Sequence, residues 1–311
     1  MNGPVLVTGS SGFAGSHLLD LLAGREDLVA WTRSTPPRDA QALARWQQVD
    51  LLDRDRVRTL VRDVRPATVY HLAGSAHVAE SLADPATAFA NNVLGTHHLF
   101  DALRRAGVHS RVVVAGSAAV YGWSDVPLTE DASVAPGNPY AQSKLGQEQL
   151  ALRAMDEDGL DVIVTRPFNH TGPRQPASYL APTVARQIAL IERGTLEPAL
   201  RIGNTTARRD ISDVRDVVRA YEALMRHGAP GTIYNVASGV GRSVQEILDA
   251  LLARSRVPVR IEVDPSRLRS NDPPVLVGDA TRLIRATGWG PSIPFEQTID
   301  DLIDYWRHAA S

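Results

Sequence analysis

The chain has 311 residues, of which 43% are hydrophobic and 22% charged, and its formal net charge is −2. Such a composition is ordinary for a soluble globular enzyme, and the near-neutral charge argues against a dedicated nucleic-acid-binding protein. The chain has no cysteine, which excludes disulfides, zinc–thiolate sites and cysteine nucleophiles, and no apolar run approaches the ~20 residues of a membrane span. The first residues lack the basic region of a signal peptide, so we expect a cytoplasmic protein.

The first half of the chain alternates short β-branched runs with helical patterns. Strands without strict polar–apolar alternation, separated by helices, indicate a parallel sheet that is covered on both faces. The pattern therefore predicts an α/β fold. The strands are predicted at residues 5–7, 28–31, 46–50, 68–72, 111–114 and 161–165, and the main helices at 16–23, 92–106 and 140–155.

After about residue 170 the alternation becomes irregular. Helical patterns cover residues 183–193, 214–226 and 295–308, and strand patterns cover 233–236 and 259–263. Ser243, followed three residues later by Glu246, has the form of a capping box. It predicts a helix that begins there and runs through residue 252.

Three glycines, Gly9, Gly12 and Gly15, lie between the first predicted strand and the first predicted helix. Gly9 allows a tight turn, Gly12 lets the backbone approach a pyrophosphate, and Gly15 allows the helix to pack closely on the strand. The N-terminus of the helix then faces the phosphates. The spacing is G-x-x-G-x-x-G rather than the commoner G-x-G-x-x-G, but its strand–turn–helix context predicts a dinucleotide site.

The end of the second strand bears on which dinucleotide is bound. NAD-binding proteins usually carry an acidic residue there, which binds the ribose 2′-hydroxyl. This chain has Thr32 and Arg33 instead, and Arg33 can pair with a 2′-phosphate, so we expect NADP(H), with NAD(H) as the alternative. Asp50, at the end of the third strand, is a candidate acceptor for the adenine amino group, and the small Ala73 and Gly74 let the cofactor lie close to the fourth strand.

The chain has a single lysine, Lys144, and 32 arginines. A lysine in so arginine-biased a chain indicates a role that a guanidinium does not fill. Tyr140 lies four residues earlier, so the two side chains share one helix face, and the ammonium would lower the pKa of Tyr140 towards the working pH. Ser117, after the fifth strand, is placed to hydrogen-bond the reacting oxygen. These three residues are the predicted catalytic set.

With these residues the chain resembles the extended short-chain dehydrogenases/reductases that act on nucleotide sugars. The resemblance covers essentially the whole chain. It implies a Rossmann-type doubly wound parallel sheet at residues 1–168 that carries the Ser/Tyr/Lys site. It implies a smaller C-terminal α/β substrate domain at residues 169–311, with some segments returning to the first domain. It also implies hydride transfer at a sugar carbon, with Tyr140 as acid or base, and a homodimer formed through the helices that begin near Asn92 and Tyr140.

The same resemblance extends the set of positions expected to contact the cofactor. These are Gly9, Gly12, Phe13, Ala14, Gly15, Thr32, Arg33, Asp50, Leu51, Leu72, Ala73, Gly74, Asn92, Tyr140, Lys144 and Pro167.

Residues 166–173, Arg-Pro-Phe-Asn-His-Thr-Gly-Pro, resemble the corresponding stretch of GDP-mannose 4,6-dehydratases and GDP-4-keto-6-deoxy-D-mannose reductases. The resemblance implies that Arg209 and Arg269 bind a diphosphate, whose oxygens match the planar guanidinium group. It implies a GDP-linked sugar as substrate. The substrate-binding candidates are Ser75, His77, Ser117, Asn169, Arg186, Arg209 and Arg269.

Removal of water from a sugar requires an extra acid/base pair, and related dehydratases carry Asp or Glu just after the catalytic Ser or Thr. Here Ala118 and Ala119 stand at those positions and cannot move a proton. This argues against dehydration. The C-terminal stretches at residues 274–279, 287–291 and 304–307 most resemble the reductases. The resemblance therefore favours NADPH-dependent reduction of a nucleotide-linked 4-keto-6-deoxyhexose, from GDP-4-keto-6-deoxy-D-mannose to GDP-D-rhamnose. The main alternative is a nucleotide-sugar 4-epimerase with bound NAD. A GDP-mannose 4,6-dehydratase and a non-catalytic NADP-binding regulator are less favoured.

The histidines of the first half are not expected to bind metal. His97 and His98 lie on a predicted helix with no matching carboxylate cluster. His71, in the fourth predicted strand, is expected to be a packed strand residue.

Overall fold

The computed structural model describes residues 3–37, 40–264 and 274–309. Its strands are β1 (Val5–Thr8), β2 (Leu28–Thr32), β3 (Arg45–Gln48), β4 (Thr68–His71), β5 (Arg111–Ala115), β6 (Asp161–Pro167), β7 (Asn169–Thr171), β8 (Ala199–Ile202), β9 (Arg208–Asp213), β10 (Ile233–Val236), β11 (Gly241–Ser243), β12 (Arg260–Val263) and β13 (Val275–Leu276). Its helices are α1 (Phe13–Leu21), α2 (Arg54–Val64), α3 (Val78–Ala83), α4 (Pro85–Phe89), α5 (Gly95–Arg105), α6 (Pro139–Asp158), α7 (Leu180–Glu192), α8 (Val214–His227), α9 (Val244–Leu252), α10 (Thr281–Thr287) and α11 (Phe295–Ala309).

Seven of the strands form one sheet in the order β3-β2-β1-β4-β5-β6-β10. Every neighbouring pair in this sheet is parallel. The first six strands have the order of a doubly wound Rossmann sheet, in which ligands bind beyond the carboxyl ends of the strands near the point where the order reverses. That point lies between β1 and β4. The predicted fold class is confirmed.

Helices cover both faces of the sheet. Val5 and Val7 of β1 belong to one core and Leu6 to the other, because successive side chains of a strand point to opposite faces. The first core includes residues of α1, α8 and α10, and the second includes residues of α2, α5 and α6. Burial on both sides explains the continuous apolar runs of the sequence.

The second half of the chain adds two smaller sheets. Strand β9 pairs with β11 in antiparallel fashion and with β7 and β13 in parallel fashion, and β8 pairs with β12. A third core lies among α7, α9 and α11. Helix α8 packs on the large sheet and β10 is its edge strand, so the chain crosses back after residue 213. The domain division at residue 168 remains a prediction.

Three helices, α1, α5 and α7, begin three residues away from their predicted starts, and α7 begins at Leu180 rather than at residue 183. Helix α1 begins at Phe13, three residues earlier than expected. The helix expected from residue 92 is preceded by α4 and by a π-helical turn over Ala90–Leu94, after which α5 begins. A π-helical turn adds a residue to the helical repeat, so a search for a 3.6-residue period does not reveal it. Within the described residues, no helix is both long and apolar enough to cross a membrane.

The capping box is confirmed. The hydroxyl of Ser243 accepts a hydrogen bond from the backbone N–H of Glu246 (3.0 Å), and the Glu246 carboxylate accepts one from the backbone N–H of Ser243 (2.5 Å). Helix α9 therefore begins at the position that the local sequence specified.

Candidate active site

The glycine loop joins β1 to α1. Gly9 has φ +70°, and a Cβ there would lie 2.7 Å from the backbone nitrogen of Ala73. A Cβ on Gly15 would overlap the carbonyl oxygen of Gly9. Gly12 is the extended residue just before α1, so the free N–H groups of the first helical turn begin at Phe13. The loop therefore has the close backbone approach and the helix N-terminus that a dinucleotide pyrophosphate needs.

The backbone segment after β4 is held in place by Asn92, which is fully buried in the π-helical turn. Its Oδ1 accepts a hydrogen bond from the backbone N–H of Ser75 (2.8 Å), and its Nδ2 donates to Ser143 Oγ (2.8 Å). A Cβ on Gly74 would overlap Oδ1 of Asn92. The segment from Leu72 to Ser75 thus follows a fixed path with little side-chain volume at Gly74.

The end of β2 carries a cluster of hydroxyl groups. Thr32 is buried, and its Oγ1 lies 2.6 Å from Ser11 Oγ and 3.2 Å from Ser34 Oγ. Arg33 is exposed beside them. Sequence reasoning named Thr32 and Arg33 but missed Ser11 and Ser34. The position of Ser34 next to Arg33 could have indicated it from the sequence. Ser11 reaches this hydroxyl cluster only because the glycine loop folds over β2.

The residues that follow the carboxyl end of β3 are more exposed than Thr32 at the end of β2. Asp50 is exposed, and one of its carboxylate oxygens accepts a hydrogen bond from the backbone N–H of Leu52 (2.9 Å). Leu51 is half-buried, and its carbonyl accepts a hydrogen bond from His98 Nδ1 (2.8 Å). The carboxylate of Asp50 is therefore held at the surface, next to the carboxyl end of β3.

Ser117 and Tyr140 meet beyond the carboxyl end of β5. Ser117 is buried, and its hydroxyl accepts a hydrogen bond from the backbone N–H of Ala119 (3.1 Å). Burial raises the pKa of the Tyr140 hydroxyl above its usual value, and a hydrogen bond with Ser117 opposes that increase. We expected Lys144 to lower this pKa, and that expectation is wrong for this structure because burial dominates.

Lys144 is buried on the same helix. Its Nζ donates hydrogen bonds to the carbonyl oxygen of Ala115 (2.8 Å) and to Oε1 of Gln147 (2.9 Å). Both partners are uncharged, and burial lowers the pKa of Lys144 to about 8. The spacing of Tyr140 and Lys144 predicted that they share one face of α6, whereas the hydrogen bond from Lys144 to Gln147 was not predicted.

His77 and Tyr179 bring the two halves of the chain together next to Tyr140. Their rings lie 4.4 Å apart between centroids, and His77 Nε2 is 2.9 Å from Ser178 Oγ. Burial raises the pKa of Tyr179 to about 12, with contributions from Tyr140 and Glu80. Tyr179 was missed because nothing in its local sequence marks it.

Phe13 also touches the second half of the chain. Its ring stacks on that of His170 with 5.7 Å between centroids and meets that of His17 edge-on. The Nη2 of Arg174 lies 2.7 Å from Nδ1 of His17, and His17 Nε2 donates to the carbonyl of Pro173 (2.8 Å). The helix that follows the glycine loop is thereby fixed against the segment after β7.

The remaining candidates lie on the second half of the chain. Asn169 is opposite Ile211 in the β7–β9 pair, and Arg209 precedes Ile211 by two residues, so Asn169 and Arg209 share one face of the small sheet. Arg186 is exposed on α7, and Pro167 is half-buried at the end of β6. Arg269 lies outside the described residues. The roles of these residues remain predictions.

The Rossmann sheet, the glycine loop and the Ser/Tyr/Lys set define an NAD(P)-dependent oxidoreductase of the extended short-chain dehydrogenase/reductase type. Residues 6–302 match the family model for GDP-mannose 4,6 dehydratase. The chain belongs to that family, as the resemblance in its sequence indicated.

Named relatives fall into more than one functional group. The chain is 36% identical over 306 residues to GDP-6-deoxy-D-mannose reductase of Pseudomonas aeruginosa, with 97% of each chain covered. It is 34% identical over 317 residues to UDP-glucose 4-epimerase of Azospirillum brasilense, with 92% of this chain and 87% of the relative covered.

Solved structures give the same two groups. A structure of RMD from Pseudomonas aeruginosa complexed with NADPH has a TM-score of 0.87 and 34% identity, covering 99% of this chain and 100% of that chain. A Thermus thermophilus UDP-glucose 4-epimerase complex with NAD has a TM-score of 0.87 and 29% identity, covering 98% and 99%. The fold alone therefore does not separate a reductase from an epimerase.

Proposed function

We propose that this protein is an NADPH-dependent reductase of a nucleotide-linked 4-keto-6-deoxyhexose, with GDP-4-keto-6-deoxy-D-mannose as substrate and GDP-D-rhamnose as product. One observation carries the proposal. The chain is 36% identical to a GDP-6-deoxy-D-mannose reductase over 97% of each chain.

When bound, NADPH supplies the hydride for the ketone carbon. Tyr140 donates the proton to the carbonyl oxygen, and its raised pKa keeps the hydroxyl protonated at neutral pH, as a proton donor requires. Ser117 orients the developing oxyanion by a hydrogen bond. Lys144 holds the nicotinamide ribose from its buried position at the carboxyl end of β5. Asn169, Arg186, Arg209 and Arg269 are the proposed contacts to the sugar nucleotide, with Ser75 and His77 near the sugar.

The alanines count against dehydration of GDP-mannose. Ala118 is buried and Ala119 half-buried in the short turn that follows Ser117. Neither side chain can accept or deliver a proton, so the acid/base pair that dehydration needs is missing at these positions.

Cofactor choice is proposed to depend on Arg33. We expect Arg33→Ala to raise the KM for NADPH about 10–100-fold, because a charge-assisted hydrogen bond to the 2′-phosphate is lost. The KM for NADH should change little. Steady-state kinetics with each cofactor test this, and Arg45→Ala, an exposed arginine at the start of β3, is the matched control. An equal effect on NADPH and NADH would contradict a role in 2′-phosphate binding.

A nucleotide-sugar 4-epimerase is the second candidate, because relatives with that name are 29–34% identical to this chain. An epimerase regenerates its cofactor, so it predicts NAD that copurifies with the protein and no net cofactor consumption. The absence of an acid after β2 and the presence of Arg33 favour the reductase. A homodimer and a cytoplasmic location are also part of the proposal.

The deciding assay follows the NADPH absorbance with GDP-4-keto-6-deoxy-mannose made in situ by a separate dehydratase, with GDP-mannose alone as control. We expect rapid loss of NADPH with the keto sugar only, and NMR then identifies the product. Absence of NADPH loss would refute the proposal and direct the search to epimerisation of UDP- and dTDP-sugars. Formation of keto sugar from GDP-mannose alone would overturn the argument from Ala118 and Ala119.

A further inference from the structure

A line of buried polar side chains leads from Lys144 into the interior of the large sheet. Gln147 of α6, Thr96 of α5, His71 of β4 and Thr8 of β1 follow one another in hydrogen-bond contact. All four are 0% exposed. Four fully buried polar side chains from four elements form a specific network, and the mechanism above uses none of them.

The direction of the first hydrogen bonds follows from the chemistry of the groups. The ammonium of Lys144 can only donate, so the atom of Gln147 that faces it at 2.9 Å is the amide oxygen. The Gln147 amide nitrogen then donates to Thr96 Oγ1 (2.9 Å). The Thr96 hydroxyl donates its own proton to the carbonyl oxygen of Asn92 (2.6 Å).

The rest of the network is fixed in turn. Because the Thr96 proton is used, its oxygen must accept from His71 Nε2, which lies 2.8 Å away. His71 Nδ1 then accepts from the Thr8 hydroxyl (2.8 Å), whose oxygen accepts from the backbone N–H of Ala73 (3.2 Å). His71 is neutral with its proton on Nε2, and burial together with the charge of Lys144 lowers its pKa to about 3. This agrees with the expectation that His71 is a packed strand residue.

The network ends at the ammonium of Lys144, which belongs to the predicted catalytic set. The ammonium of Lys144 is held by two neutral oxygens, the carbonyl of Ala115 and the amide of Gln147. Its Nζ lies 3.6 Å from where a Cβ on Gly74 would stand, at the edge proposed for the cofactor. The hydrogen bond to the amide of Gln147 therefore fixes the direction in which the ammonium of Lys144 points towards the backbone at Gly74.

We propose that Gln147 is a positioning residue for Lys144, and that Thr96 and His71 act through Gln147 by fixing the direction of its amide. The inference rests on the proposed role of Lys144 in the reductase. A network that only filled the core would not control the charge of Lys144. Gln147 does control it, because its amide oxygen stabilises the ammonium over the neutral amine.

Few titratable groups on the neighbouring elements compete with this effect. Within the described residues, the titratable and charged groups on α6 and on the elements packed against it include Tyr140, Glu148 and Asp158 of α6, Arg166 of β6, His98, Asp101 and Arg104 of α5, and Glu80 of α3, and His71 of β4 belongs to the network itself. Arg104 pairs with Asp158. Arg166 is paired with Glu148, Asp101 is paired with arginines of α2 and α5, and Glu80 is exposed.

The single lysine makes the test direct, because protein labelled with 13Cε-lysine and made without a lysine-containing tag gives one NMR resonance, that of Lys144. We expect it to titrate near pH 8 in the wild-type protein. Gln147→Leu should lower this pKa by about one pH unit or more, because the ammonium loses one of two acceptors. Gln147→Glu should raise it, because a carboxylate favours the charged form. Gln149→Leu and Gln149→Glu, on the exposed face of the same helix, should leave it unchanged.

A Lys144 resonance that titrates at the same pH in the wild-type protein and in both Gln147 variants would overturn the proposal. If Gln147→Leu does not fold, Thr96→Val and Thr96→Ser replace it: valine should lower the pKa of Lys144 and serine should restore it, and equal values in the two would count against the network. The titration needs no substrate. A wild-type protein that oxidises no NADPH refutes the reductase, whereas an unmoved titration refutes the role of Gln147. In an active enzyme, the alkaline fall of kcat/KM should move with the pKa of Lys144.

Discussion

Replacement of Tyr140 by phenylalanine should lower kcat for the keto sugar about 10²–10⁴-fold, the usual contribution of a positioned proton donor. The affinity for NADPH should stay close to that of the wild-type protein, because the change removes only the hydroxyl that faces Ser117. Single-turnover kinetics measure the chemical step, and fluorescence titration measures NADPH binding.

Tyr305→Phe is the matched control and should retain full turnover, since Tyr305 lies on α11, where its ring contacts Trp306 and not Ser117. Turnover retained in Tyr140→Phe would refute the assignment of Tyr140 as the acid. A loss of NADPH affinity equal to the loss of turnover would instead show that the tyrosine mainly holds the cofactor.

Glu148→Ala should reduce the free energy of unfolding by about 3–5 kcal/mol, because it leaves the buried guanidinium of Arg166 without its carboxylate. The two side chains are 4–5% exposed and are joined by two hydrogen bonds of 2.8 and 2.6 Å. The melting temperature should fall by roughly 6–15 °C. Thermal and urea unfolding monitored by circular dichroism measure the change.

Glu157→Ala provides the comparison on the same helix. Glu157 pairs with Arg153 at 2.6 Å, but both side chains are about half exposed, so the loss should stay below about 0.5 kcal/mol. Similar losses for Glu148→Ala and Glu157→Ala would show that the buried pair is not a special contributor. The double replacement Glu148→Leu with Arg166→Met should recover much of the stability, since no buried charge is left unpaired.

The elements that local sequence specifies were predicted well. The strand at 233–236 and the capping box of α9 match their predicted positions, and α6 extends the predicted helix from 140–155 to 139–158. The glycine trio and the Tyr140–Lys144 pair were found because each depends on short spacings within one turn or helix. The π-helical turn before α5 was not found, because its extra residue departs from the 3.6-residue period by which helices are recognised in a sequence.

The pKa of Tyr140 depends on burial, which short spacings in the sequence do not determine. Sequence spacing placed Lys144 near Tyr140 and suggested a lowered pKa, but burial raises it. The extent of burial depends on what α6 packs against, and the chain elements concerned are far apart in sequence. Ser11 beside Thr32, Tyr179 beside His77, and Glu148 beside Arg166 are contacts of the same kind.

The sequence by itself determined the fold class, the dinucleotide loop, the Ser/Tyr/Lys set and the lack of a proton-transferring side chain at 118 and 119, because these are properties of residue type and short spacing. Only the tertiary structure decided which groups surround them. The line from Lys144 through Gln147, Thr96 and His71 to Thr8 joins residues up to 139 positions apart. Those residues meet because the doubly wound order places β4 beside β1 and packs α5 and α6 over one face of the sheet.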